Sequence, residues 1–407
     1  MSRRRLTFIL GVLAALGPLS IDAALPAFPS MARSLGVSAS AVQLTLAAYL
    51  TGIAAGQLLH GPLSDRLGRR PPLLGGLALY TLASVVGALA PTLPVLWGAR
   101  FTQGVGACAV VAISRAVVRD LFAERDAATV YSGRMLVAGV APILAPLLGG
   151  QVVATFGWRA VFVLLSAAGL GLTLLVAWTL PESLALERTR SGLGDALRGA
   201  AAAFRDRRFV RMALVGGASE AALFACLSGG SFLFIDRFGL SPKQFGLVEA
   251  ANGLGIVLVS LVNRRLVCSV GVARALRVGA GSALLSYAAL VAAVRFEAGI
   301  GAVIVAMVAG VSSVGVILPN ATAAAMDGRG EGAGSASAVL GLLQSTIDIL
   351  AAGAVSLLAD GTPLPMALVM LGCGGIALFL VVGAGPRDGE SAREGILTRP
   401  EPSPPSP

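Results

Sequence analysis

The stretch Gly61-Pro62-Leu63-Ser64-Asp65-Arg66-Leu67-Gly68-Arg69-Arg70 sits between two apolar runs, Ala41–His60 and Pro72–Ala90. Each run is about the 20 residues that a helix needs to cross a bilayer. A short basic linker between such runs reads as a turn at the membrane surface, with its arginines left in water. Gly61 and Gly68 permit a tight turn and close helix approach there.

The same alternation recurs on both sides of this turn. Toward the N-terminus lies Leu6–Phe28; beyond it come Pro94–Val118, Thr129–Gly150 and Arg159–Leu180. After a polar stretch follow Val210–Phe232, Gln244–Asn263, Arg274–Val294, Ile300–Ala323, Ser335–Leu358 and Leu364–Ala384. The pattern predicts an all-α membrane protein of twelve transmembrane helices in two six-helix pseudo-repeats. Composition agrees: of 407 residues, 56% are hydrophobic and 13% are charged, against about 25% charged in soluble domains. The basic start and apolar run at Leu6–Ser20 resemble a secretory signal, but apolar runs resume many times, so it reads as an uncleaved first span.

The net charge is +10, carried almost wholly by arginine. With the N-terminus placed in the cytoplasm, the inner segments hold Arg3–Arg5, Arg66, Arg69, Arg70, Arg119, Arg125, the arginines of the central loop, Arg264, Arg265, Arg329 and those of the tail. The outer segments hold Arg33, Arg237, Lys243 and Arg295. This bias predicts both termini in the cytoplasm of a multi-pass bacterial inner-membrane protein. Because the arginines punctuate apolar runs instead of forming one stripe, nucleic-acid binding is not expected. Cys108, Cys226, Cys268 and Cys373 are scattered, and His60 is the single histidine, so neither a metal site nor a cofactor is expected.

Residues 1–180 and 210–385 form the two expected halves, joined by a central cytoplasmic loop at 181–209, where 192–204 reads as a short surface helix. Residues 386–407 read as a disordered tail rich in proline. An internal repeat is visible: Leu35-Gly36-Val37-Ser38 precedes the second run and Phe238-Gly239-Leu240-Ser241 the eighth. Each serine is placed to cap the helix that follows, and Pro242 suits a first helical position. Two such halves around a midplane site is a transporter plan.

The turn at 61–70 resembles the signature loop of the major facilitator superfamily. Arg100-Phe101-Thr102-Gln103-Gly104 is similar to that family's Arg-x-x-Gln-Gly motif, and Ala145-Pro146-Leu147-Leu148-Gly149-Gly150 to the end of its antiporter motif. Ala145, Ala141 and Ser132 stand where that motif has glycines, all small enough for close packing; the residues alone equally describe a small-residue helix interface kinked at Pro142 and Pro146. Gly17–Ala27, Val42–Thr45, Val118-Arg119-Asp120, Gly157-Trp158-Arg159 and Leu318-Pro319-Asn320-Ala321 resemble the bicyclomycin/chloramphenicol-resistance (Bcr/CflA) efflux subfamily, over a stretch reaching about Ala367. The resemblance implies the major facilitator fold and proton-driven export of drug-like molecules. It also implies gating roles for Gly61, Asp65, Arg66, Gly68, Arg69, Pro142, Pro146, Gly149 and Gly150.

Ionisable groups inside spans are functional candidates in their own right. Asp22 and Arg100 fall at similar depth, so a pair is geometrically possible. Apolar surroundings favour a protonated acid and an adjacent guanidinium favours the carboxylate. A shifting contact would make Asp22 a proton carrier; a static structural pair is the rival reading. Glu220, Glu249 and Asp348 are further acids inside spans, either touching substrate or protons or packing helices through hydrogen bonds. Tyr49 offers an aromatic face to a ligand or an ordinary packing surface. Arg115 and Arg134 read as paired or snorkelling, His60 as structural, and Pro319-Asn320 as the end or bend of the tenth span.

The expected function is therefore a monomeric antiporter that exchanges a small-molecule substrate for protons in a lipid bilayer. Export of an endogenous metabolite or dipeptide, or a receptor role without transport, are the rival readings. An enzyme is disfavoured, since no nucleophile–base constellation is legible.

Overall fold

The computed structural model describes residues 3–121, 124–180, 182, 193–327 and 333–383. The tail, most of the central loop and the side chains of Asp65, Arg115 and Arg134 lie outside the described residues. Among the described residues there is no strand, and twelve helical segments are long and apolar enough to cross a membrane. Leucines, valines and phenylalanines such as Leu89, Phe156, Leu285 and Phe379 are exposed on the outer faces, the pattern of a lipid-facing surface.

Span one is longer and more broken than its sequence suggested. Helix Arg3–Asp22 ends at the acid, a 3-10 turn Leu25–Ala27 follows, and helix Phe28–Leu35 completes the crossing. Pro26 lies in the turn and Pro29 near the start of the new helix, so the chain continues where an apolar count stops at Phe28. Span ten is also two helices, Ile300–Ser312 and Val314–Met326. Its break falls at Ser313, whose hydroxyl donates to the Gly310 carbonyl, and not at Pro319 as the sequence suggested. Pro319 has no N–H for the Gly315 carbonyl, which accepts instead from Ser260 of span eight. Asn320 donates to the Val316 carbonyl and to Asn263 Oδ1.

Equivalent turns make the repeat visible. Gly36 and Gly239, Gly68 and Gly271, and Gly157 and Gly361 all have positive φ, at a near-constant offset along the chain. Ser38 and Ser241 cap the helices that follow, Ala39–Leu67 and Pro242–Val270, with almost identical backbone angles. Packing repeats as well. Spans one and five pair as seven and eleven do, two and four as eight and ten, three and six as nine and twelve. The halves meet through span two against eleven and span five against eight. The helix Leu193–Arg205, close to the segment expected at 192–204, packs on span eleven, with Gly199 against Ser335.

Cross-half contacts gather at the end of the bundle opposite the 61–70 turn. There Arg33 bridges Asp236 at 2.9 Å, Ser356 donates to the Ser40 carbonyl at 2.6 Å, and Gly150 lies against the Pro242 carbonyl.

Candidate transport site

Arg100 is almost fully buried, at 1% exposure, and a network of polar groups holds it. Nη1 donates to the Ser20 carbonyl at 3.1 Å and to Gln103 Oε1 at 2.6 Å. Gln103 in turn donates to Ser84, Ser84 to the Tyr80 carbonyl, and Tyr80 shares a hydrogen bond with Ser20. The guanidinium lies over the Tyr49 ring at 4.4 Å and near Phe162 at 6.0 Å. A desolvated cation against an aromatic face gains on the order of 2 kcal/mol. Gly52 and Gly104 bring spans two and four into backbone contact beside it; a Cβ on either would meet a carbonyl oxygen of the other span. Tyr49 therefore serves Arg100 from the N-terminal half's core.

Asp22 does not pair with Arg100. The guanidinium reaches the Ser20 carbonyl, two residues before Asp22, but is turned to Gln103 and the Tyr49 ring, and no ion pair joins the two. Asp22 instead lines a cavity of about 240 Å³ where spans one and five meet seven and eight. Glu249 and Asn252 line it from the opposite half, among the apolar side chains of Leu223, Phe224 and Ile256. Glu249 is the ionisable neighbour whose charge acts on Asp22. Its Oε2 accepts from Asn252 Nδ2 at 3.2 Å, whereas Glu249 Oε1 and Asn252 Oδ1 are buried without a partner. Two acids, one from each half, thus share one apolar space.

Glu220 of span seven and Asp348 of span eleven are near enough for the charge of one to act on the other, and they are not among the residues lining this cavity. Gly216 and Gly217 let span eleven approach there, with Gln344 and Ile347 against them.

The proline and glycine residues of span five form its seam with span eight. A Cβ on Gly246 would meet the Pro146 carbonyl and one on Gly253 the Pro142 carbonyl, while Gly149 abuts Ala23 of span one. Backbones this close leave no room for side chains and permit sliding of one helix on the other. At the 61–70 turn, Glu182 accepts from the Arg69 and Arg70 N–H groups at 2.7 and 3.0 Å, capping span three. Gly68 takes a φ of +91°, a conformation that favours glycine, and packs against that carboxylate. Arg69 is buried and donates to Ser64; Arg66 is exposed. Gly61 lies inside the helix Ala39–Leu67. His60 bonds the Val105 carbonyl at 3.0 Å and ties span two to span four, a structural role.

The sequence pattern of the Major Facilitator Superfamily matches residues 10–352. The chain belongs to the major facilitator superfamily. Its kin include the uncharacterized MFS-type transporter YdgK of Bacillus subtilis, 37% identical over 90% of this chain and 92% of that protein. A bicyclomycin resistance protein homolog of Haemophilus influenzae is 30% identical over 92% of this chain and 95% of its own length. Among solved structures, a bacterial homolog of the human lysosomal transporter Spinster, in an inward-facing and occupied conformation, superposes with a TM-score of 0.77 at 14% identity, covering 95% of this chain and 98% of that one.

This major facilitator chain is a membrane transporter and not an enzyme, and its expected residues fall into distinct places. Asp22 with Glu249, and Arg100 with Tyr49, form separate clusters on either side of span one. Asn252, Gly246, Gly253 and Glu182 were missed. Gly246, Glu249 and Gly253 recur at helical spacing, a signal available in the sequence. Glu182 is a lone acid in a polar stretch and carries no such signal.

Proposed function

We propose that this chain is a proton-coupled antiporter that exports small drug-like molecules across the bacterial inner membrane by alternating access, with both termini cytoplasmic. The observation that carries the reading is Asp22, an acid at a helix break, lining a cavity that both halves build beside the Pro–Gly seam. The bicyclomycin-resistance name of a full-length relative supports the cargo class. The arginine bias assigns the 61–70 turn to the cytoplasm, so the Arg33–Asp236 and Ser356–Ser40 contacts close the outer end of an inward-facing state.

In this cycle cargo enters from the cytoplasm and the halves rock about the seam of spans five and eight. Cargo then leaves outward, and a proton taken up at Asp22 favours the return. Each proton contributes about 2.3 kcal/mol per 100 mV of membrane potential and about 1.4 kcal/mol per pH unit. One proton per cycle therefore sustains a useful gradient of a neutral molecule.

Everted membrane vesicles energised to an acid interior, with a dye reporting the pH gradient, test this. Bicyclomycin, chloramphenicol and related compounds are added to vesicles carrying the wild type or Asp22→Asn. Proton release with the wild type alone is the expected result. Equal release from both moves coupling away from Asp22, and no release with any compound removes drug antiport as the function.

A further inference from the structure

The charge bias leaves Arg33, Arg237, Lys243 and Arg295 in segments opposite the 61–70 turn, where basic residues are disfavoured. Arg33 pairs with Asp236 across the halves. Arg237 and Arg295 instead line one cavity of about 830 Å³ within the C-terminal half, where spans seven and nine end and spans ten and twelve begin. It shares no lining residue with the cavity of Asp22.

The backbone around this cavity is unusual. Span seven ends in a π-helical turn, Phe232–Arg237, a wider winding that carries Arg237 off the regular helix. Glu297 reaches Arg237 at 3.3 Å from a φ of +51°, and it is the one non-glycine residue with a positive φ among the described residues. Strain of this kind is held by its surroundings and clusters at ligand clamps.

Charge in the wall does not balance. Glu297 is its one acid and is paired with Arg237, whereas Arg295 has neither a hydrogen bond nor an ion pair among the described residues. The neighbouring Asp360 is not in the wall, and its carboxylate already accepts from the Thr362 N–H and hydroxyl. The side chains of Arg237 and Glu297 are 63% and 79% exposed, so their bridge is weak and an incoming anion can take or share Arg237. The helices Ile300–Ser312 and Leu364–Val382 add their positive ends. They start at Gly299 and Pro363, both in the wall and neither offering a capping side chain. The rest of the wall is apolar, with Phe238, Val294, Leu364 and the highly exposed Phe296.

We propose that this cavity binds a phosphate anion between Arg237 and Arg295, whose planar guanidinium groups match phosphate oxygens. A lipid headgroup and a soluble phosphate ester present the same group; the apolar wall at the span ends adds acyl-chain contact for the lipid. The volume lies within the roughly 300–1,000 Å³ of small-molecule pockets, enough for a headgroup and its glycerol. The site stands apart from the cargo cavity and does not rest on the antiport reading.

Calorimetry on the full chain in detergent tests this with three probes: dihexanoylphosphatidylglycerol, the zwitterionic dihexanoylphosphatidylcholine, and glycerol 3-phosphate. The wild type is expected to bind the anionic lipid about tenfold tighter than the zwitterionic one. Arg295→Gln, at an exposed position without a partner, is expected to remove that preference. Glu297→Gln removes the carboxylate that competes for Arg237 and is expected to tighten anionic-lipid binding severalfold. The opposite signs separate this cavity from the many arginines near the 61–70 turn. Glycerol 3-phosphate binding that depends on Arg295 and matches the anionic lipid supports the site with a soluble ester as its ligand. Anionic-lipid binding without glycerol 3-phosphate binding supports it with the lipid. Equal binding of the two lipids by the wild type, or anionic-lipid affinity unchanged in both variants, overturns the proposal.

Discussion

The two halves share turns, caps and packing, yet they treat buried charge in opposite ways. The N-terminal half encloses a base: Arg100 is wrapped by the Ser20 carbonyl, Gln103 and the faces of Tyr49 and Phe162. The C-terminal half holds acids, Glu220, Glu249 and Asp348, and no base is buried there among the described residues. The difference is sharpest at one equivalent position. Counted from the capping serines Ser38 and Ser241, Leu46 of span two corresponds to Glu249 of span eight, and Tyr49 to Asn252. The fold repeats while the chemistry diverges. The base is held through one nitrogen and the face of Tyr49 inside its own half, whereas Glu249 lies at the seam between the halves.

The largest effect is expected from breaking the locked side. Arg100→Leu leaves the Ser20 carbonyl and Gln103 without their donor, at about 1–3 kcal/mol for each buried group. Efflux at matched protein level should fall at least about tenfold, and thermal unfolding in detergent should occur earlier. Arg100→Lys keeps the charge but loses the planar stacking on Tyr49, and should rescue stability better than transport.

Next in size is a change that makes the halves alike. Glu249→Leu gives span eight the residue that span two carries, and should cut cargo-driven proton flux about tenfold while the protein still reaches the membrane in normal amount. Gly246→Val attacks the seam instead. Its side chain would meet the Pro146 carbonyl, 2.5 Å from the position of Cβ, so the halves should lose their close approach. Transport should drop with the cavity acids intact, and cysteine crosslinking of positions 33 and 236 should weaken.

These expectations also show what a single sequence reveals. Apolar runs give the spans because backbone polar groups in lipid must be satisfied within the helix. They do not give the ends, since an apolar chain continues past a bend as readily as it stops; Pro26 and Pro29 carried span one on to Leu35. Intramembrane acids were legible one by one. Their partners were not, because equal depth says nothing of which way a side chain faces around its helix. Asp22 and Arg100 illustrate this, one turned to the seam and the other into its own half. The short-range signals, Ser38, Ser241 and the Pro–Gly run, transferred best because caps and close approaches depend on local residue type.

The smallest effect belongs to the loop that leads into span twelve. The Asp360 carboxylate is held below the usual carboxylate range first by the Thr362 hydroxyl and then by the Thr362 N–H. A depressed folded-state pKa means that its contribution is present above the unfolded value and is lost as pH falls through the folded one. Asp360→Ala should therefore lower thermal stability slightly at neutral pH, and the gap from wild type should close on acidification.

The central claim, that Asp22 couples proton and cargo movement, is tested most directly in proteoliposomes by separating uphill from downhill transport. A cargo found in the vesicle screen is followed with an imposed pH gradient and, separately, in exchange between equal pH values. Asp22→Asn should lose accumulation against the cargo gradient while keeping downhill exchange. Accumulation by Asp22→Asn equal to that of the wild type would contradict the account.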